Sequence, residues 1–210
     1  MNQSEILPLF SQPVYINNID DNEFSIVANA VINTDCPKLN NYEGNGYMSD
    51  DTVWLDNHTD VKSIVEKYLE DYVHNQLAIS KRHYLEHCTS WVNLHKPNDI
   101  AQSHIHGNSV FSGVLYAKCD KDTGPIRFTF PAMIPTFASY TTEFDLDDNN
   151  FYNMREALIY PSNKMILLFP SHLAHDVAPN LSTIDRYSVA FNYFMKGSYG
   201  NGAESRLELK

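Results

Sequence analysis

Positive charge is scarce in this 210-residue chain: 15 Lys and Arg stand against 26 Asp and Glu, for a formal net charge of −11. No Lys/Arg cluster breaks that balance, and proteins that grip a phosphate backbone present a basic face. This argues against nucleic acid as a partner. Also missing is any apolar run near the length of about 20 residues that crosses a bilayer. The opening MNQSEILPLFSQPVY has neither the charged nor the apolar stretch of a signal peptide. The expectation is a cytoplasmic protein with no membrane partner. Cysteine is rare as well: Cys36, Cys88 and Cys119 are odd in number, widely spaced and without a CxxC pair. They read as reduced thiols and not as a disulfide framework. Internal repeats and low-complexity tracts are absent.

What is present is globular. Apolar residues make up 43% and aromatics 12%, enough for one domain to bury a full core at this length. LFSQPVYINNI (9–19) looks like a strand entering the domain. Residues 33–52 are rich in Asn, Asp and Gly without a period, as in a lid or binding loop. Over 59–79, Val61, Ile64, Val65, Tyr68, Leu69, Tyr72, Val73 and Leu77 recur at helical spacing opposite a charged face. From Thr89 onward the character changes to short β-branched and aromatic runs: TSWVNLHK, SVFSGVLYAKC, GPIRFTFP, EALIYP, KMILLFP and DRYSVAFNYFMK. The expected architecture is mainly β, a barrel or jelly roll braced by N-terminal helices. A single domain is expected, with a strand, loop and bracing helix in 1–88, the β core in 89–196, and a polar tail in 197–210 that is frayed or an oligomer contact.

The segment SHIHGNSVFSGVLY (103–116) raises the chemical question. Residues two apart on a strand point the same way, so His104 and His106 can converge on one ion. A third ligand is needed, and His175 in LLFPSHLAHDV is the best placed; His172 sits on the turn and reads as exposed. Three protein ligands leave open coordination positions. Eleven residues on, DRYSVAFN places Arg186, Ser188, Ala190 and Asn192 on one face and Tyr187, Val189, Phe191 and Tyr193 on the other. Arg with Ser on a small-residue face suits a carboxylate, through a bidentate fork and a hydroxyl donor.

The ordered set HIH…GVLY…LLFPSHLAH…RYS resembles the iron(II)- and 2-oxoglutarate-dependent oxygenases, and more narrowly an oxygenase family common in phages and bacteria. The resemblance runs from LFSQPVY through SWVNLHKPNDIAQSHIHGNSVFSGVLYA to RYSVAFN, most of the chain. It implies a double-stranded β-helix of the jelly-roll or cupin-like kind. It also implies iron(II) as metal, 2-oxoglutarate as co-substrate, and O2 as oxidant for hydroxylation of a C–H bond. In that reading His104, His106 and His175 hold the iron, and Arg186 and Ser188 grip the far carboxylate of 2-oxoglutarate. Tyr116 and Ser112 fall where related hydroxylases place further co-substrate contacts, and Asn93 joins them if it faces inward. One departure stands out: the family's usual carboxylate, two residues after the first His, is replaced by His106. Either three histidines form the site, the preferred arrangement, or His106 lies behind the metal and water or a carboxylate such as Asp99 or Asp176 completes it.

Plainer readings compete. With nine histidines in the chain some close pairs are expected by chance, and His58, His74, His83, His87 and His95 receive no role. Trp91 reads as core, and strand packing competes with co-substrate contact for Tyr116. Asp145, Asp147, Asn149 and Glu156 have calcium-loop spacing, but Asn150 replaces the turn Gly, so the stretch reads as a solvated acidic loop. The rivals for function are a cupin-type oxygenase or isomerase that makes no use of 2-oxoglutarate, and a non-catalytic jelly-roll binding module. The long Asn/Gly loop suits a peptide or protein side chain as substrate, with a small molecule also open. A homodimer remains an alternative to a monomer, with no interface named.

Overall fold

A computed structural model describes residues 5–7, 11–39, 44–129, 145–148, 150–200 and 205–210. Strand β1 (Tyr15–Asn18) leads into helix α1 (Asp21–Ile32), which the hydrophobic pattern did not announce. Its signal is polar. The Asp20 carboxylate accepts from the Glu23 amide at 2.9 Å while Glu23 reaches back to the Asp20 amide at 3.1 Å, a capping box that satisfies otherwise orphaned N–H groups. Short strands β2 (Gly44–Asn45) and β3 (Tyr47–Met48) follow, then α2 (Trp54–Asn57) and α3 (Thr59–Glu70). The segment 33–52 is thus partly strand, with residues 40–43 outside the described set. The helix expected over 59–79 is α3 plus a π-helical turn at Asp71–Gln76. In that turn the Leu77 amide reaches the Tyr72 carbonyl at 2.9 Å, and Ala78, at φ 54°, ends the helix.

The β core comprises β4 (His83–His95), β5 (Ile100–His104), β6 (Phe111–Lys118), β7 (Ile126–Thr129), β8 (Glu156–Ile159), β9 (Met165–Pro170), β10 (His175–Val177) and β11 (Arg186–Tyr199), with β12 (Leu207–Leu209) at the end. All strand pairs are antiparallel. The larger sheet runs β1-β9-β6-β11-β4-β3 with β12 on β11, and the smaller runs β2-β5-β10-β7-β8. This is the expected mainly β jelly roll. Within the tail, Gly197, Ser198 and Tyr199 of β11 pair with Leu209, Glu208 and Leu207. Leu207 and Leu209 alternate as a strand requires, a pattern too short to announce itself beside so many polar neighbours. Among the described residues, no helix is long and apolar enough to cross a membrane.

Alternation along β11 divides the molecule. Val189, Phe191, Tyr193 and Met195 point outward and join Leu115, Ile166 and Leu168 in a core capped by Val27 and Val31 of α1 and Ile64, Val65 and Leu69 of α3. Packing there is tight. A Cβ on Gly113 would come within 2.4 Å of the Phe191 ring and 2.7 Å of Leu168, so only glycine fits. Between the sheets lies a smaller cluster of Tyr116, Ile126, Phe128, Leu167, Phe169 and Leu173. On that inner side Arg186, Ser188 and Asn192 are buried as well, and polar groups gather there.

Candidate active site

The smaller sheet brings two of the expected histidines into direct register: His104 ends β5 and His175 opens β10, one opposite the other. His106 lies just past the strand end, so the pair HIH straddles a strand terminus. It is set by its amide, which donates to the Ser171 carbonyl at 3.0 Å. Ring centroids are 5.0 Å apart for His104–His106, 4.5 Å for His104–His175 and 5.1 Å for His106–His175. One nitrogen from each ring lies within 4.8 Å of the others.

The tautomers follow from geometry. His104 Nδ1 lies 2.7 Å from the Gln102 carbonyl and His175 Nδ1 2.8 Å from the Leu173 carbonyl. A carbonyl can only accept, so both Nδ1 atoms carry a proton, and each Nε2 is the nitrogen left to face the cluster. Backbone carbonyls orienting ligand histidines in this way are a common feature of metal sites. Burial holds His106 neutral, its pKa pushed down to about 3 with the neighbouring His175 and His104 adding to the effect. Burial likewise takes His175 down to about 4. Three converging imidazoles fit a first-row divalent cation.

Neither carboxylate alternative reaches this cluster. Asp176 alternates away from His175, and its carboxylate accepts from Arg127 Nε at 3.1 and 3.0 Å, with Nη2 at 2.9 Å. The Asp99 carboxylate accepts from the Lys96 amide at 2.8 Å in the turn after β4. His172 is exposed, its Nε2 3.1 Å from Gln12 Oε1. Of the calcium-like spacing, Asn149 lies outside the described residues, and Glu156 begins β8 with Arg127 Nη1 at 3.7 Å.

Across the barrel, the inner face of the larger sheet presents Arg186, Ser188, Tyr116 and Asn93 in adjacent registers: Ser188 lies opposite Asn93 on one side and Tyr116 on the other. Arg186 is 2% exposed. Its Nη1 donates to the Thr123 and Gly124 carbonyls at 3.2 and 3.1 Å, and its Nη2 to His95 Nδ1 at 2.8 Å. The buried Nε–H has no partner, and no carboxylate among the described residues pairs with the guanidinium. A buried arginine stays charged, so this pocket asks for an anion. Burial also raises the Tyr116 hydroxyl to about 12, so it remains a neutral donor.

Ser112 belongs to the other end of the same strand, about 13 Å from Tyr116 by strand rise. Its hydroxyl donates to Asn192 Oδ1 at 2.7 Å and lies 2.8 Å from the Ser171 hydroxyl, placing it on the histidine side. Two residues were misjudged from sequence. Trp91 is not core: it is half-buried on the inner face, its ring 5.9 Å from that of His106, and its Nε1–H donates to Asn93 Oδ1 at 3.1 Å. That bond orients the Asn93 amide and leaves its NH2 for the pocket. His95, given no role, is the residue that holds Arg186. Its signal was the WVNLH alternation itself, which puts positions 91, 93 and 95 on one face.

Residues 89–192 match the family model described as "Putative 2OG-Fe(II) oxygenase". No curated protein matches the chain. Among solved structures, the chain is similar to a 2OG-Fe(II) oxygenase-family oxidoreductase from Burkholderia pseudomallei (TM-score 0.62, 10% identity, covering 86% of this chain and 85% of that one). It is also similar to a prolyl-4-hydroxylase from Pseudomonas putida (TM-score 0.56, 13% identity, 90% and 96% covered). A third is the viral collagen prolyl hydroxylase of Paramecium Bursaria Chlorella virus-1 (TM-score 0.55, 15% identity, 86% and 94% covered). At these identities the neighbours speak for the jelly-roll fold, and the family model speaks for the chemistry. Over residues 89–192 the chain is a 2OG-Fe(II) oxygenase, one of the non-haem iron(II)- and 2-oxoglutarate-dependent dioxygenases.

Proposed function

We propose that His104, His106 and His175 hold the iron(II), and that Arg186 with Ser188 grips the far carboxylate of 2-oxoglutarate, with Tyr116 and Asn93 lining the pocket between. The observation that carries this reading is the Arg186 Nε–H, buried, unpartnered and without a carboxylate among the described residues. When bound, iron(II) and 2-oxoglutarate together supply the oxidation: O2 is consumed, 2-oxoglutarate loses CO2 to give succinate, and a C–H bond of the primary substrate becomes C–OH. The protein's part is positional. Gln102 and Leu173 carbonyls aim two imidazoles, Thr123 and Gly124 carbonyls and His95 aim the guanidinium, and Phe128 and Phe169, with rings 5.8 and 4.8 Å from His175, keep water from that side. Ser112 supports the histidine end through Ser171, whose carbonyl holds the His106 amide.

For the primary substrate we infer a peptide or protein side chain, with prolyl as the first to try. His104 is exposed and Trp91 half-buried beside the cluster, so the histidine end opens to solvent and could meet a residue of a longer chain. The neighbours named as prolyl hydroxylases suggest where to begin, and a small molecule is the second reading. The test is anaerobic addition of iron(II) and 2-oxoglutarate, followed through the weak visible charge-transfer band of a metal-bound 2-oxo acid. Wild type gives the band, and Arg186→Ala gives it only at much higher 2-oxoglutarate. Metal uptake with no band at any concentration would favour a cupin that makes no use of 2-oxoglutarate. Survival of the band in His106→Ala would move that residue out of the ligand set. Succinate release stimulated by proline-containing peptides, and not by free amino acids, would support the side-chain substrate.

A further inference from the structure

Resting on the reading of Arg186 as the co-substrate anchor, we propose that His95 is a positioning residue that aims the Arg186 guanidinium into the pocket while leaving its positive charge uncancelled. The two face each other directly across β11 and β4. Arg186 Nη2 can only donate, so His95 Nδ1 accepts, the ring proton sits on Nε2, and the imidazole is neutral. Burial and then the adjacent cation hold it so, down to about 3. The three acceptors around the guanidinium are therefore two carbonyls and a neutral ring, none of them charged. Of five guanidinium hydrogens they engage both on Nη1 and one on Nη2. The Nε–H and the second Nη2–H remain, donors on adjacent nitrogens of the kind that take one carboxylate in a bidentate pair.

Histidine is well suited to that task. A carboxylate at position 95 would hold Nη2 equally well but would pair with the charge, and the pocket would lose its attraction for an anion. An aliphatic residue would leave the guanidinium free to turn. The imidazole is itself fixed. The ring is hydrogen-bonded to the Ile100 backbone, the Asn180 amide holds the strand beneath it by donating to the His95 main-chain carbonyl at 3.0 Å, and a Cβ on Gly46, between β2 and β3, would stand in ordinary contact with the ring at 3.4 Å.

The experiment titrates 2-oxoglutarate and pyruvate, a 2-oxo acid without the far carboxylate, into the anaerobic iron(II) protein and compares affinities. In wild type 2-oxoglutarate binds much tighter than pyruvate. His95→Glu is expected to weaken 2-oxoglutarate by roughly tenfold or more, the scale of a charge-assisted hydrogen bond. Pyruvate affinity and iron(II) affinity should stay unchanged, so that the preference collapses. His95→Gln, whose amide oxygen can accept from Nη2, is expected to stay within about threefold of wild type, and His95→Ala to fall between. Should His95→Glu fail to fold by circular dichroism, the Gln-against-Ala comparison decides: rescue by Gln supports the proposal, and equal losses overturn it. Unchanged 2-oxoglutarate preference in His95→Glu, with Arg186→Ala defective, overturns the proposal and leaves the anchor standing. Unchanged preference in Arg186→Ala overturns the anchor itself.

Discussion

A guanidinium out of water with its Nε unpartnered is costly to a fold unless something later completes it. Arg186 is that group, and replacing it with lysine is not conservative. One ammonium cannot reach the Thr123 carbonyl, the Gly124 carbonyl and His95 while presenting two parallel donors. Arg186→Lys is expected to raise the 2-oxoglutarate Kd by about a hundredfold, the range of a lost bidentate charged contact, as read by anaerobic titration. The neutrality of His95 has its own pH signature. Its ordinary value of 6.5 is lowered to about 3 in the fold, so the unfolded chain takes up the proton first as pH falls. The stability this contributes is complete above about 6.5 and drains away as pH drops toward 3, at up to about 1.4 kcal/mol per pH unit. Urea midpoints at pH 7 and 4.5 should therefore diverge more in wild type than in His95→Gln; parallel losses would count against a neutral buried ring. At this scale the sequence was most legible where function is local. Arg186 and Ser188, two apart on β11, share its inner face, and the three histidines converge although His106 lies past the end of β5. His95 was invisible because its role depends on register between β4 and β11, where it lies opposite a residue 91 positions away.

Elements read well when their apolar period was long, as in α3 and most of the strands, and poorly when polar groups defined them. Helix α1 is mostly a capping box followed by two buried valines. Asp20→Ala is expected to lower the denaturation midpoint through loss of the N-cap, measured by chemical denaturation, with little effect on co-substrate affinity since α1 packs on the outer face. Strands β5 and β10 are short and uneven, five and three residues, too short for a period in the sequence to announce them. Gly113 shows the opposite sensitivity. Gly113→Ala would drive a methyl into Phe191 and Leu168, and a loss of about 1–3 kcal/mol is expected from overpacking, visible as a lower thermal midpoint. An unchanged midpoint would mean that β6 and β11 can separate slightly without harm.

For the molecule as a whole, β11 is the shared wall. Its outer side chains belong to the core under the helices, and its inner ones to the pocket proposed for 2-oxoglutarate, so on that proposal global stability and co-substrate binding are properties of one strand. A ligand that binds only the folded chain stabilises it by about 2.7 kcal/mol at a hundred times its Kd. Thermal midpoints measured with metal and 2-oxoglutarate together should exceed those with metal and pyruvate, and the excess should vanish in Arg186→Ala.

The unfilled charge at Arg186 also bears on how long the protein lasts. Unfolded chains are removed by proteases in proportion to their population, so a fold completed by its co-substrate is shielded in proportion to the supply of that molecule. A falling supply of 2-oxoglutarate would then shorten the lifetime of the folded chain, read as faster proteolysis in its absence.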